Sequence, residues 1–220
     1  MLQPSQLLAF LAASTLLTIA PGPDVLATIS IGLARGWRPA VSFGAGCGLG
    51  CLLHTAAAVL GAATLLNTSP AAYTAMKFLG GAYLAWLGTS ILRSTLARPG
   101  QNSPEIPSTD APNQPHSRPH GSPWQRDFLR GLLANATNPK VAIFFLSFLP
   151  SFTRPGSTPP QIQLALLGAV FTAQAVFIFA AIGFFSGQCG RLLHSFPQLP
   201  RLLNLLCGLL FLTLATLLIL

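Results

Sequence analysis

Between residues 39 and 76 the chain carries no Asp, Glu, Lys or Arg. A run of that kind has room for a helix of about 20 residues to cross a bilayer and for a second to start back. Asn67-Thr68-Ser69-Pro70 lies inside it as a turn tetrad, so two spans are expected, the second starting at or just after Pro70. The pattern recurs along the chain. Residues 5–34 hold a single charge, Asp24; residues 71–92 hold only Lys77; residues 162–190 hold none before Arg191; residues 202–220 hold none. Residues 125–150 form a further apolar stretch interrupted by Asn138-Pro139-Lys140. These segments predict an all-α integral membrane protein with six transmembrane helices. Charged residues make up 7% of the chain, against about 25% in soluble domains, which excludes a water-soluble globule.

The first apolar run has no basic segment before it and continues past the length of a signal-peptide core, so it is expected to be a permanent helix. The formal charge of +8 comes from thinly spread residues with no basic run, which argues against nucleic acid as a partner. These residues orient the bundle instead. Arg35 and Arg38 lie between helices one and two, Arg93, Arg98, Arg118 and Arg126 between three and four, and Arg191 and Arg201 between five and six; the opposite side has only Arg154. The positive-inside rule makes the three basic connections cytoplasmic and sends both termini outward. The longest connection, residues 97–123, is rich in Pro, Ser, Asn and His and is expected to be a disordered linker between residues 1–96 and 124–220. His116 and His120 within it are separated by Pro119, which argues against a shared helix face for a metal.

Two of the spans carry the same interruption. Ala20-Pro21-Gly22-Pro23-Asp24-Val25 is followed 116 residues later by Ala136-Thr137-Asn138-Pro139-Lys140-Val141, each placing Pro and then a charge inside an apolar helix. Gly81, Leu87 and Thr89 likewise match Gly208, Leu214 and Thr216 at an offset of 127. Two three-helix halves follow, and because three is odd the second enters the membrane inverted. Interrupted helices at corresponding places of an inverted repeat mark a transporter's binding site. Proline removes an N–H and frees carbonyls that hydrocarbon cannot solvate. Half-helix N-termini would hold a carboxylate and the freed carbonyls an ammonium, a pairing suited to a zwitterion. A charge at the bilayer centre costs about 2.5 to 3.5 kcal/mol on insertion scales, so Asp24 and Lys140 point to function, or to a mutual ion pair.

Several ordered motifs together resemble the LysE/RhtB superfamily of bacterial amino-acid exporters. They are Thr18-Ile19-Ala20-Pro21-Gly22-Pro23-Asp24, Arg35-Gly36-Trp37-Arg38, the glycine-rich Gly44 to His54 helix, the run from Lys77 to Gly88, and Phe128-Leu129-Arg130-Gly131 leading into Asn135 and Asn138-Pro139-Lys140. The resemblance implies export of amino acids or related small metabolites across the bacterial inner membrane, driven by the proton motive force. It maps substrate binding onto Pro21, Gly22, Pro23, Asp24, Asn135, Asn138, Pro139 and Lys140. Cys51 is a departure, since many relatives carry an acidic residue near that place.

His54, one turn beyond Gly50, and Gln174, a strongly polar side chain in the middle of helix five, are further candidates for substrate contact; interhelical bonding is the alternative for each. Gly44, Gly46, Gly48 and Gly50 suit close helix packing, and such faces would also suit a homodimer. Lys77 can snorkel to the interface. Cys47, Cys51, Cys189 and Cys207 are dispersed packing residues with no disulfide framework and no zinc spacing. No phosphate loop or H-E-x-x-H motif is present, and no cofactor is implied. Two other readings remain: an intramembrane enzyme with His54 and Asp24 as acid–base partners, and a scaffold that transports nothing. The enzyme requires His54 within bonding reach of Asp24; the scaffold requires breaks that face lipid or dry packing.

Overall fold

The computed structural model describes residues 4–62, 69–97, 123–153, 158–188 and 199–219, and among these every regular element is helical. The helices are α1 (Pro4–Ile19), α2 (Pro23–Arg35), α3 (Trp37–Ala57), α4 (Pro70–Ala97), α5 (Pro123–Ala136), α6 (Pro139–Ile143), α7 (Pro160–Gln188) and α8 (Leu199–Ile219). A π-helical turn, Ala58–Ala62, extends α3, and α6 continues through a π turn, Phe144–Phe148, into a 3-10 turn, Leu149–Phe152. Six of the eight helices open on a proline. In that position its missing N–H leaves no bond unmade and its fixed φ already suits the helix. The linker histidines His116 and His120, with Arg98, Arg118, Arg154, Cys189 and Arg191, lie outside the described residues.

Trp37–Gly61 and Pro160–Gln188 are each long and apolar enough to cross a membrane. Taken as single spans, α1 with α2, and α5 with Pro139–Phe152, bring the number to four; they bend by 55° and 51° at their breaks. Such sharp bends have a local cause in both places, Pro21 and Pro23 in one and Pro139 in the other. Within α8, Asn204–Ile219 is a shorter apolar helix, and α8 packs along α4.

The centre of the bundle is α3, held between α5 and α7, with α2 lying against both α3 and α7. Alternate glycines bring this about. A Cβ on Gly44 would stand 2.7 Å from the Phe179 carbonyl oxygen and one on Gly48 2.6 Å from Val176 Cα, so that face meets α7 backbone to backbone. The opposite face meets α5: a Cβ on Gly46 would collide with the Phe128 carbonyl, and Gly131 of α5 is held equally close to the Phe43 carbonyl. The faces that would suit a homodimer are thus taken up by helices of the same chain. Beside the breaks, Phe144, Phe145, Phe148 and Phe171 form a buried aromatic cluster, with the Phe145 and Phe171 rings edge to face at 4.8 Å.

Candidate functional site

Pro21 cannot donate to the carbonyl of Leu17, four residues back, and Pro23 cannot donate to that of Ile19. The helix ends at Ile19, and α2 restarts at Pro23 behind an extended Gly22. Two carbonyls at this break, Leu17 and Ala20, are satisfied from the far half of the chain, accepting from Lys140 Nζ at 3.2 and 3.1 Å. Gly22 makes room for this: a Cβ there would lie 2.9 Å from the ammonium nitrogen.

The second break repeats the chemistry with other residues. Pro139 denies the Asn135 carbonyl its donor four residues on; the carbonyl accepts instead from the Asn138 backbone N–H at 2.9 Å and from His54 Nε2 at 2.9 Å. Because a carbonyl only accepts, this bond fixes the proton on Nε2. Asn138 caps α6, its Oδ1 accepting from the Lys140 backbone N–H at 3.0 Å. With its oxygen committed to the cap, Asn138 turns its Nδ2 to Asp24 Oδ2 at 2.9 Å, and Asn135 Nδ2 donates to the same oxygen at 2.8 Å. Cys51 donates its thiol to Asn135 Oδ1 at 3.6 Å, so the thiol joins the network as a weak donor.

Each break is therefore closed by the charge that follows the other. Lys140, just after Pro139, holds the carbonyls of the first break, and Asp24, just after Pro23, is held by the amides of the second. Asp24 is 3% and Lys140 8% exposed, and they form no ion pair with one another, which corrects the expectation of a mutual pair. The physical reason is that orphaned carbonyls and side-chain amides already meet their needs in groups. Asp24 Oδ1 is buried without any hydrogen-bond partner. Asp24, Lys140, Asn135, Cys51 and Phe171 line a cavity of about 10 Å³, roughly the space of one water and too small for any metabolite. Both breaks face this buried polar centre, whereas the scaffold reading requires breaks that face lipid or dry packing.

Residues 15–220 match the family model described as LysE type translocator. The chain belongs to that family. It is 28% identical over 206 residues to the leucine efflux protein of Klebsiella pneumoniae, covering 93% of this chain and 90% of that one. It is 31% identical over 160 residues to the homoserine/homoserine lactone efflux protein of Salmonella typhimurium, covering 73% of this chain and 70% of the relative. No solved structure matches it. The relatives are named as efflux proteins, so this LysE type translocator is a membrane transporter and not an enzyme. His54 bonds the Asn135 carbonyl and Asp24 bonds the amides of Asn135 and Asn138, so the two side chains are not each other's partners.

Of the ten candidate residues of the translocator, nine gather here: Asp24, Asn135, Asn138, Lys140 and His54 by their polar groups, Gly22 by its lack of one, and Pro21, Pro23 and Pro139 by the donors they withhold. Gln174 does not join them. It accepts from Ser14 Oγ at 2.9 Å and donates to Thr15 Oγ1 at 2.8 Å, fastening α7 to α1. A second pair of charges ties the halves together at the far end of α2, where Arg35 meets Asp127 of α5 in a two-pronged bond at 2.8 Å on each prong. Asp127 carries a sequence mark of its own, as one of only four acidic residues and one that borders an apolar stretch. The carbonyls of Leu17 and Ala20 carry none, except that Pro21 follows Leu17 by one helical turn.

Proposed function

We propose that this translocator exports an amino acid or a closely related small metabolite from the cytoplasm across the bacterial inner membrane, using the proton motive force. The observation that carries the reading is the reciprocal filling of the two breaks. A lysine ammonium rests on the carbonyl end of one half-helix and an aspartate carboxylate on the amides beside the other. These are the two charged groups of a zwitterion, each already provided with partners of the right sign. Relatives named for leucine and for homoserine efflux support amino acids as the cargo class.

The architecture proposed with it is six spans in two inverted three-helix repeats, residues 1–96 and 124–220, joined by a cytoplasmic linker at 97–123, with both termini periplasmic. The paired bends of 55° and 51° support it, as does the way each broken helix packs on the second helix of the other half, α2 on α7 and α5 on α3. Pro21, Gly22, Pro23, Asp24, Asn135, Asn138, Pro139 and Lys140 form the substrate region, with His54 holding the second break open through the Asn135 carbonyl. Gln174 serves as an interhelical fastener. The cavity of about 10 Å³ corresponds to a closed state, so loading requires the two breaks to part. Proton coupling rests on the resemblance and on Asp24, whose free Oδ1 is an available acceptor.

The test is efflux of preloaded radiolabelled L-leucine and L-homoserine from cells expressing the chain, with and without a protonophore. Efflux above control cells that ceases with the proton gradient is the expected result. Absence of efflux across a broad amino-acid panel, with the protein present in the membrane, would overturn the reading.

A further inference from the structure

We propose that Lys140 is a tethered competitor of the cargo: its ammonium occupies the berth of the cargo's own protonated amine and yields it by swinging to the free Oδ1 of Asp24. The inference rests on the export reading above and narrows its substrate class to molecules with a protonated, unhindered amine.

The berth is built from backbone. Leu17 loses its helical donor to Pro21, and the Leu17 and Ala20 carbonyls stand at the C-terminal, negative end of α1. An ammonium presents three donors and no acceptor, so it satisfies two converging carbonyls at 3.2 and 3.1 Å in a way that a hydroxyl or a trimethylated nitrogen cannot. Nothing in this recognition is particular to lysine. Any primary ammonium that reaches the break meets the same two acceptors.

A second berth lies in the same small cavity. Asp24 spends Oδ2 on the amides of Asn135 and Asn138, while Oδ1 is buried with no partner. A carboxylate oxygen left so in a dry interior is costly, and a cation is the partner that best relieves it. The two berths together can hold two cations, and the closed protein supplies one. When the cargo's ammonium takes the carbonyls, Lys140 moves to Oδ1, where it and Asp24 become each other's counter-ion. With no cargo, Lys140 leaving the carbonyls would orphan them, which keeps the closed arrangement in place. Gly22 allows the swing, since a Cβ there would stand 2.9 Å from Nζ.

The experiment uses the full chain in lipid nanodiscs, with n-butylammonium, L-leucine and L-homoserine as probes and binding measured by calorimetry for the wild type and Lys140→Met. If Lys140 fills the berth in nine molecules of ten, its removal tightens n-butylammonium binding by about tenfold, while tetramethylammonium and the deaminated analogue 2-hydroxyisocaproate gain nothing. Weaker or unchanged n-butylammonium binding by Lys140→Met overturns the proposal, because a lysine that contacts cargo directly would behave that way. Should that variant fail to fold, the wild type decides. The chain has two lysines, Lys77 and Lys140, so ¹⁵N-lysine spectra, assigned with Lys77→Arg, isolate the Lys140 ammonium. Its signal moves on saturation with n-butylammonium if the berth is yielded; a static signal, or no binding of the probe, overturns the proposal. Displacement by n-butylammonium with no binding or efflux of any amino acid would instead overturn the export reading and leave the berth standing. Amino-acid efflux with a static Lys140 signal would do the reverse.

Discussion

Lys140 Nζ donates to the carbonyl of Leu17, 123 residues earlier in the chain, and that carbonyl is free because Pro21 has no N–H to offer it. A backbone defect in one half of the molecule is thus repaired by a side chain from the other. The relationship gives the proline, and not only the charge, a part in how the break is closed.

Pro21→Ala restores an N–H one turn after Leu17. The carbonyl regains its helical partner, Lys140 loses one of two acceptors, and the 55° bend relaxes. Export should fall by about tenfold or more, the equivalent of one charge-assisted hydrogen bond, with insertion intact. Efflux normalised to membrane content measures it, and unaltered efflux would separate the proline from transport.

Asn138 has two duties that a pair of substitutions can divide. Asn138→Asp keeps an acceptor for the Lys140 N–H but turns a second carboxylate toward Asp24 Oδ2; Asn138→Ala loses both the cap and the amide. The cap alone is worth about 1 kcal/mol. Thermal unfolding in nanodiscs should show Asn138→Ala destabilised by at least that amount, and both variants should lose export. An active Asn138→Asp would mean that the amide on Asp24 is dispensable.

For Arg35 and Asp127 the burial is lopsided, the arginine side chain being 45% exposed and the aspartate 4%. Arg35→Ala leaves a buried carboxylate with no counter-ion, whereas Asp127→Ala leaves an arginine that water can reach. The first should therefore cost more, about 1 to 3 kcal/mol, and the second under about 1 kcal/mol. A double-mutant cycle on thermal stability checks the order, and equal losses would contradict it.

Gly46→Ala drives a methyl into the Phe128 carbonyl and should prevent α3 and α5 from closing, whereas Gly61→Ala meets nothing within 4 Å. Monodisperse protein recovered in detergent should drop sharply for the first and stay at the wild-type level for the second.

Much of this site can be read without coordinates, because a proline in an apolar helix has a fixed consequence: a missing donor four residues downstream of a known carbonyl. Pro21, Pro23, Asp24, Pro139 and Lys140 declare themselves in that way. Their partners do not. The repeat brings Asp24 and Lys140 to matching places and invites a direct pair, yet which partner each finds depends on the bend at each break and on how closely α3 admits α5, set by the bare faces of Gly46 and Gly50. Gln174 is ambiguous for the same reason. Its polarity is plain in the sequence, but only the packing of α7 on α1 puts Ser14 and Thr15 within its reach.

The alternating glycines of α3 also decide which parts of the molecule are free to travel. With Gly44 and Gly48 pressed on the backbone of α7, and Gly46 on that of α5, α3 brings no side chain of its own into these contacts that could swivel, stretch or fill a gap. Drawing them apart would open a bare slot that lipid tails fill poorly. The three helices form a keel, and it is cheaper for a transport cycle to hinge the short arms at Gly22 and Asn138 against that keel than to bend it.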